Sequence, residues 1–133
     1  MKILIVEDDF AARKMLKDIL SPYADCDIVV DGEEAIQAFR LAWEEKSPYD
    51  LICLDIMMPN TDGYEALTQI RNMEKDITGI KGSNEVKIIV ITALDDPKTV
   101  VRLYKAGATS YVVKPIDKNE FFKEIRGLGF MRE

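Results

Sequence analysis

Six side chains with chemical capability stand at the ends of short apolar runs. Glu7, Asp8 and Asp9 follow the run 3–6, Asp55 follows 51–54, Thr92 follows 88–91, and Lys114 follows 111–113. Carboxylates gathered at one edge repel, by about 4 kcal/mol per pair at about 4 Å in a partly screened site, so a cation must accompany them. Mg2+ suits such a set, because a hard ion takes oxygen ligands from one or two carboxylates and keeps water or phosphate oxygens for the rest. Lys114 adds a flexible positive charge able to reach a phosphoryl oxygen, and Thr92 adds a hydroxyl donor. A carboxylate beside a metal, an ammonium and a hydroxyl is a site for phosphoryl transfer onto that carboxylate, with Asp55 as nucleophile.

Taken singly, each residue has a plainer reading. Asp9 serves equally as a helix N-cap and Asp8 as a cap or solvated acid, Thr92 as a strand-end residue, and Lys114 before Pro as surface charge. Asp62-Gly63 reads as turn chemistry. What favours the chemical reading is the conjunction, since four strands each end in a suitable residue type.

The elements that must position these residues follow from periodicity. The run 3–6 reads as a strand, and Ala12, Met15, Leu16 and Ile19 then fall at helical spacing. Residues 26–30 read as a second strand, followed by Asp31-Gly32 and a helix with Ile36, Phe39 and Trp43 on one face. The third strand spans 51–54, and Leu67, Ile70 and Met73 give the next helical stripe. Residues 88–91 are strongly β-branched and end before Asp96-Pro97, an acid and proline that mark a helix start. Val100, Leu103 and Tyr104 continue that helix to Gly107. A last strand at 111–113 precedes Asp117 and Glu120, spaced as a capping box, and a helix carrying Phe121, Ile125 and Leu128. Five strand–helix units with strands apolar on both faces predict an α/β, doubly wound parallel sheet in strand order 2-1-3-4-5. Its site lies between the carboxyl ends of strands one and three.

The 133 residues predict a single domain that buries roughly two-thirds of its unfolded surface. A net charge of −6 argues against a nucleic-acid-binding face, which needs clustered Lys and Arg. The apolar start is cut short by Glu7, so no signal peptide or membrane span is expected and a cytoplasmic location is. The two cysteines, Cys26 and Cys53, lack metal-ligand spacing and read as buried thiols. The absence of His removes Ser-His-Asp and Cys-His catalysis and His-ligated metals together.

Four stretches together resemble the response-regulator receiver family of two-component signalling, in its stand-alone, CheY-like form. They are Ile3-Leu4-Ile5-Val6-Glu7-Asp8-Asp9, Leu54-Asp55-Ile56-Met57-Met58-Pro59-Asn60-Thr61-Asp62-Gly63, Ile91-Thr92-Ala93 and Tyr111-Val112-Val113-Lys114-Pro115. The resemblance covers nearly the whole chain and implies a flavodoxin-like (βα)5 fold. It implies that Asp55 is the phosphoacceptor, becoming a 4-aspartylphosphate. Glu7, Asp8, Asp55 and the Met57 backbone carbonyl would hold Mg2+, leaving Asp9 as a cap. Thr92 would be the switch hydroxyl, Tyr111 its aromatic partner, and Lys114 a contact to the phosphoryl group, with Ala93 leaving room. A cis bond at Lys114-Pro115 is also implied.

The donor implied is a histidine kinase or histidine phosphotransfer protein, consistent with a chain that has no His of its own. The downstream target would be a protein reached through the last strand and its neighbouring helices. No nucleic acid or membrane partner is implied, and the chain is expected as a monomer or weak dimer. It would act as a phosphoacceptor with slow autodephosphorylation rather than a turnover enzyme.

Three departures stand out. The stretch 74–85 is longer than the family's usual connection, and an extended helix, a loop or a partner-specific surface all fit it. The chain ends after the last helix, so no output domain is expected. Met57 and Leu94, which flank the attack path, are apolar and offer no side chain to orient a water, which predicts a persistent phosphoryl-aspartate. The competing readings are a phosphorylation-independent interaction module, a haloacid-dehalogenase-type phosphatase and a flavin binder. Met57 stands where the phosphatase needs its second acid, and no loop is built to cradle a flavin phosphate.

Overall fold

Among the described residues, Asp9, Asp31, Asp96 and Asp117 each cap the start of a helix. In the computed structural model, which describes residues 1–56, 63–78 and 85–130, each cap carboxylate accepts from a backbone N–H three residues on. Asp9 accepts from Ala12 at 2.9 Å, Asp31 from Glu34 at 2.8 Å, Asp96 from Thr99 at 3.1 Å and Asp117 from Glu120 at 2.9 Å. These bonds satisfy amide donors that have no partner inside the helix. The helices are α1 Phe10–Leu20, α2 Gly32–Glu44, α3 Gly63–Met73, α4 Pro97–Ala106 and α5 Lys118–Gly127. Pro97 opens α4, and Gly107 closes it at φ 115°, a left-handed conformation that a side chain would strain.

The strands β1 Lys2–Val6, β2 Asp25–Val29, β3 Leu51–Asp55, β4 Lys87–Thr92 and β5 Ser110–Val113 form one parallel sheet in the order β2-β1-β3-β4-β5. The expected strand order therefore holds. Its faces bury separate layers. One gathers Leu4, Val6, Ile52, Leu54, Ile88 and Val90 with Phe39 of α2 and Leu67 and Ile70 of α3. The other gathers Ile3, Ile5, Cys53, Ile89 and Ile91 with Leu16 of α1 and Phe121 and Ile125 of α5. Strands packed on both sides need apolar residues on both faces, as β3 has from 51 to 54 before it ends at the buried Asp55.

β2 departs from expectation. It starts a residue earlier than the apolar pattern indicates and is only half buried, with Asp25 and Asp27 exposed. An edge strand has one neighbour, so its outer residues face water. Asp27 is held there by the Tyr49 hydroxyl, which donates at 2.7 Å. Cys26 is consequently part-buried, whereas Cys53 lies wholly inside and burial pushes its thiol far up. The stripe on α2 also sits differently, with Ala35, Phe39 and Ala42 buried and Ile36 and Trp43 at its margin.

The first part of the 74–85 stretch is a π-helical turn, Glu74–Thr78, that continues α3; residues 79–84 lie outside the described residues. Arg71 and Glu74 tie its base down. The Arg71 guanidinium donates to Glu74 at 2.6 Å, to the Gly107 carbonyl at 2.9 Å and to the Thr109 hydroxyl at 3.3 Å. The other Glu74 oxygen accepts from Val86 N at 2.7 Å, and Glu74 is 1% exposed. Among the described residues, no helix is long and apolar enough to cross a membrane.

Candidate functional site

Strand register assembles the site. Val6 is paired with Leu54, Asp55 with Ile91 and Thr92 with Val113, so Glu7, Asp55, Thr92 and Lys114 leave the sheet at neighbouring points of its carboxyl edge. Backbone bonds fix those exits: Glu7 N donates to Val29 O at 3.1 Å, Ile56 N to Ile91 O at 3.0 Å and Lys114 N to Thr92 O at 2.7 Å.

Glu7 and Asp55 are buried, at 0% and 2% exposure. Lys114 reaches over both, its Nζ 3.0 Å from Glu7 Oε1 and 3.2 Å from Asp55 Oδ2. Asp8 is exposed at the rim, and one carboxylate oxygen from each of Glu7, Asp8 and Asp55 lies within 4.8 Å of the other two. Three acids facing one ammonium leave an excess of negative charge. Burial first, then the hydrogen bond with Asp55, pushes the Glu7 carboxyl up to about 8, against the pull of Lys114. Burial alone would lower the Lys114 ammonium, but the hydrogen bond to Glu7 and the charge of Asp55 outweigh it and the net shift is upward.

The donor set fits a hard divalent cation. Glu7 Oε2 is buried and, among the described residues, has no hydrogen-bond partner. A buried carboxylate oxygen in that condition is costly unless something positive meets it. Two further carboxylates stand within reach, and all the ligands are oxygen, as Mg2+ requires.

Thr92 is fully buried, and its Oγ1 accepts from Leu94 N at 3.0 Å, tying it to the loop that leads into α4. Tyr111 is half-buried on the α3 side of the sheet, its ring edge-on to that of Tyr104 at 6.0 Å. Ala93 is exposed beside the site, Leu94 is 45% exposed and the Lys114-Pro115 peptide is cis. Asp9 is used as the α1 cap. Met57, with its backbone carbonyl, and Asp62 fall outside the described residues.

Gly63 is a packing residue as well as part of a turn. It donates its N–H to Ile56 O at 3.1 Å, and a Cβ added to it would strike Asp55 O and Ile56 Cα. The start of α3 therefore lies directly against the backbone of the central acid, an approach open to glycine alone. A lone glycine after a turn carries no signal that tells close packing from a bend. The Arg71–Glu74 pair was likewise missed, because its partners come from three separate elements.

Comparison with known proteins places the chain. A model of the response regulator receiver domain matches residues 3–126. Chemotaxis protein CheY of Listeria monocytogenes is 34% identical over 125 residues, spanning 94% of this chain and 95% of that protein. Protein RcaC of Microchaete diplosiphon is 38% identical over 131 residues, 96% of this chain but 18% of the relative. The chain spans less than half the length of several of its curated relatives. Among solved structures, the receiver domain of the histidine kinase CKI1 from Arabidopsis thaliana, complexed with Mg2+ and BeF3−, is similar at a TM-score of 0.76. It shares 26% identity, with 95% of this chain and 89% of that one covered. The family match runs over nearly the whole chain and the strand order agrees with it, and this chain belongs to the response regulator receiver domain family.

Proposed function

We propose that the chain is a phosphorylation-dependent signalling switch that accepts a phosphoryl group onto Asp55 from the phosphohistidine of a histidine kinase or histidine phosphotransfer protein. The observation that carries this reading is Lys114 Nζ standing between Glu7 and Asp55 at 3.0 and 3.2 Å. Glu7, Asp8 and Asp55 would hold Mg2+, with the Met57 backbone carbonyl as a further ligand. When bound, the ion neutralises negative charge on the incoming phosphoryl oxygens.

An Asp55 carboxylate oxygen attacks phosphorus as the phosphorus–nitrogen bond of the donor breaks. The electron pair returns to the donor imidazole, which is then protonated. Lys114 supports the charge that develops, because its ammonium already faces the attacking carboxylate. Thr92 responds afterwards. Turning its hydroxyl toward Asp55 gives up the bond from Leu94 N and so releases the loop into α4. Tyr111 packs edge-on to Tyr104 of α4, so the same displacement reaches β5 and the face offered to a protein target. Met57 and Leu94 bring no polar side chain to orient water, which slows loss of the phosphoryl group and makes the chain a phosphoacceptor with slow autodephosphorylation. We place the reaction in the cytoplasm, as a single receiver unit over 1–133.

Intact mass after incubation with acetyl phosphate, with and without Mg2+, tests the chemistry on wild type and Asp55→Asn. One phosphoryl group is expected on wild type only and only with Mg2+. Equal uptake by Asp55→Asn would overturn the assignment.

A further inference from the structure

Of the five helices, α4 is the one with no acidic residue. Its sequence carries Lys98, Arg102 and Lys105, whereas α1, α2, α3 and α5 each hold at least one Asp or Glu. This occurs in a chain of net charge −6. The three cations fall on one helical face with Pro97 and Val101, at the spacing that makes a continuous stripe. That stripe and Tyr64 of α3 line a groove of about 500 Å³ on the side of α4 away from β5.

The groove is built rather than incidental. The Arg102 guanidinium lies over the Tyr64 ring at 3.9 Å, a stacked position that holds its planar fork while leaving its edge free to donate. Val101, 51% exposed, forms an apolar floor between the charges. Lys98, Arg102 and Lys105 form no ion pair with any described residue. The nearest acid in sequence, Asp96, is committed to capping, with Thr99 N at 3.1 Å and Thr99 Oγ1 at 2.8 Å. Like charges three and four residues apart weaken a helix, so an anionic partner would relieve a built-in repulsion. Across α4 lies a hollow of opposite sign, lined by Tyr104, Tyr111, Asp117, Glu120 and Glu124.

We infer that the α3–α4 groove docks an acidic peptide segment of a partner protein, with an apolar side chain set between Asp or Glu residues. The apolar side chain rests on Val101 and Pro97, and the flanking carboxylates pair with Lys98, Arg102 and Lys105. The site stands on charge and shape in the unphosphorylated chain and does not rest on the phosphoacceptor reading.

The test is a titration of the 15N-labelled, unphosphorylated, Mg2+-free chain with two synthetic peptides. One sets Asp and Glu around a Leu-Phe pair, and the other has Lys in place of every acid. Amide shifts are expected at Tyr64, Lys98, Val101, Arg102 and Lys105 with the acidic peptide only, fading as salt is raised. Lys98→Glu combined with Lys105→Glu should weaken binding by roughly tenfold or more. Arg102→Lys, which keeps the charge but loses the stacked fork, should weaken it by a smaller factor. Equal binding of both peptides, shifts confined to Tyr104, Glu120 and Glu124, or self-association that covers the groove and excludes the peptide would each overturn the proposal. None of these results bears on phosphoryl uptake by Asp55.

Discussion

Replacing Lys114 by Met removes the cation between Glu7 and Asp55 while keeping most of the side-chain volume. Its Nζ makes two charged contacts, at 3.0 and 3.2 Å, from a side chain 29% exposed. A hydrogen bond to a charged group contributes about 1.5–3 kcal/mol, and partial solvent access places this one toward the low end. Near neutral pH Glu7 still holds its proton, so the contact to Asp55 dominates and the expected loss is about 2 kcal/mol. Higher pH separates the proteins further. In wild type the Glu7 carboxyl is raised from 4.5 to about 8, so its stabilising contribution declines through that interval and then levels. Lys114 is one of the groups holding that value down, and without it the decline continues above pH 8. The variant then loses up to about 1.4 kcal/mol per further pH unit relative to wild type. Urea unfolding followed by the single tryptophan, Trp43, at pH 7, 8 and 9 without Mg2+ measures this. A gap below about 0.5 kcal/mol, or one that does not widen with pH, would refute the account of the site as a proton-holding acid pair under one ammonium.

Mg2+ should raise the unfolding temperature, by an amount worth about 2.7 kcal/mol at a hundred times its dissociation constant, with less effect in Asp8→Asn. The effect should grow from pH 6 to pH 9 as Glu7 gives up its proton, and a pH-independent response would count against Glu7 as a ligand. Gly63→Ala should cost about 1–3 kcal/mol and slow phosphoryl uptake, because the new methyl group meets the Asp55 backbone; unchanged melting and uptake would contradict this. Arg71→Met should destabilise by about 3–5 kcal/mol by taking the guanidinium away from the buried Glu74 carboxylate, and adding Glu74→Met should recover only part of the loss, because Val86 N then loses its acceptor. Phosphorylated Met57→Asn should lose its phosphoryl group faster than wild type, and equal decay rates would sink the claim of persistence.

The site was legible to the extent that it is written in strand ends. A parallel strand buried on both faces must be apolar throughout, so the first polar residue after each run marks where the chain leaves the sheet, as at Glu7, Asp55, Thr92 and Lys114. Order and register then bring these exits together, and the strand order was predictable from the alternation of elements. Less legible was whatever depends on being at an edge or on contact from outside the run. β2 has a neighbour on one side only, and its alternate Asp25 and Asp27 are the one local sign of that wet edge. Asp9 carries the same charge as Asp8, and only the helix that follows turns it into a cap. Gly63 and Arg71 act through elements distant in sequence, and no local pattern announces a backbone packed on a backbone or a guanidinium reaching another helix's last carbonyl.

The bond from Val86 N to Glu74, spanning 12 residues at 2.7 Å, means that the entry to β4 is stapled to the end of α3 by a side chain. The start of that strand is therefore tied to Glu74 and, through it, to Arg71. A shift at the end of α3 is thus passed directly to the entry of the strand that delivers Thr92 beside Asp55, so a partner that moves α3 would be felt at the phosphoacceptor edge.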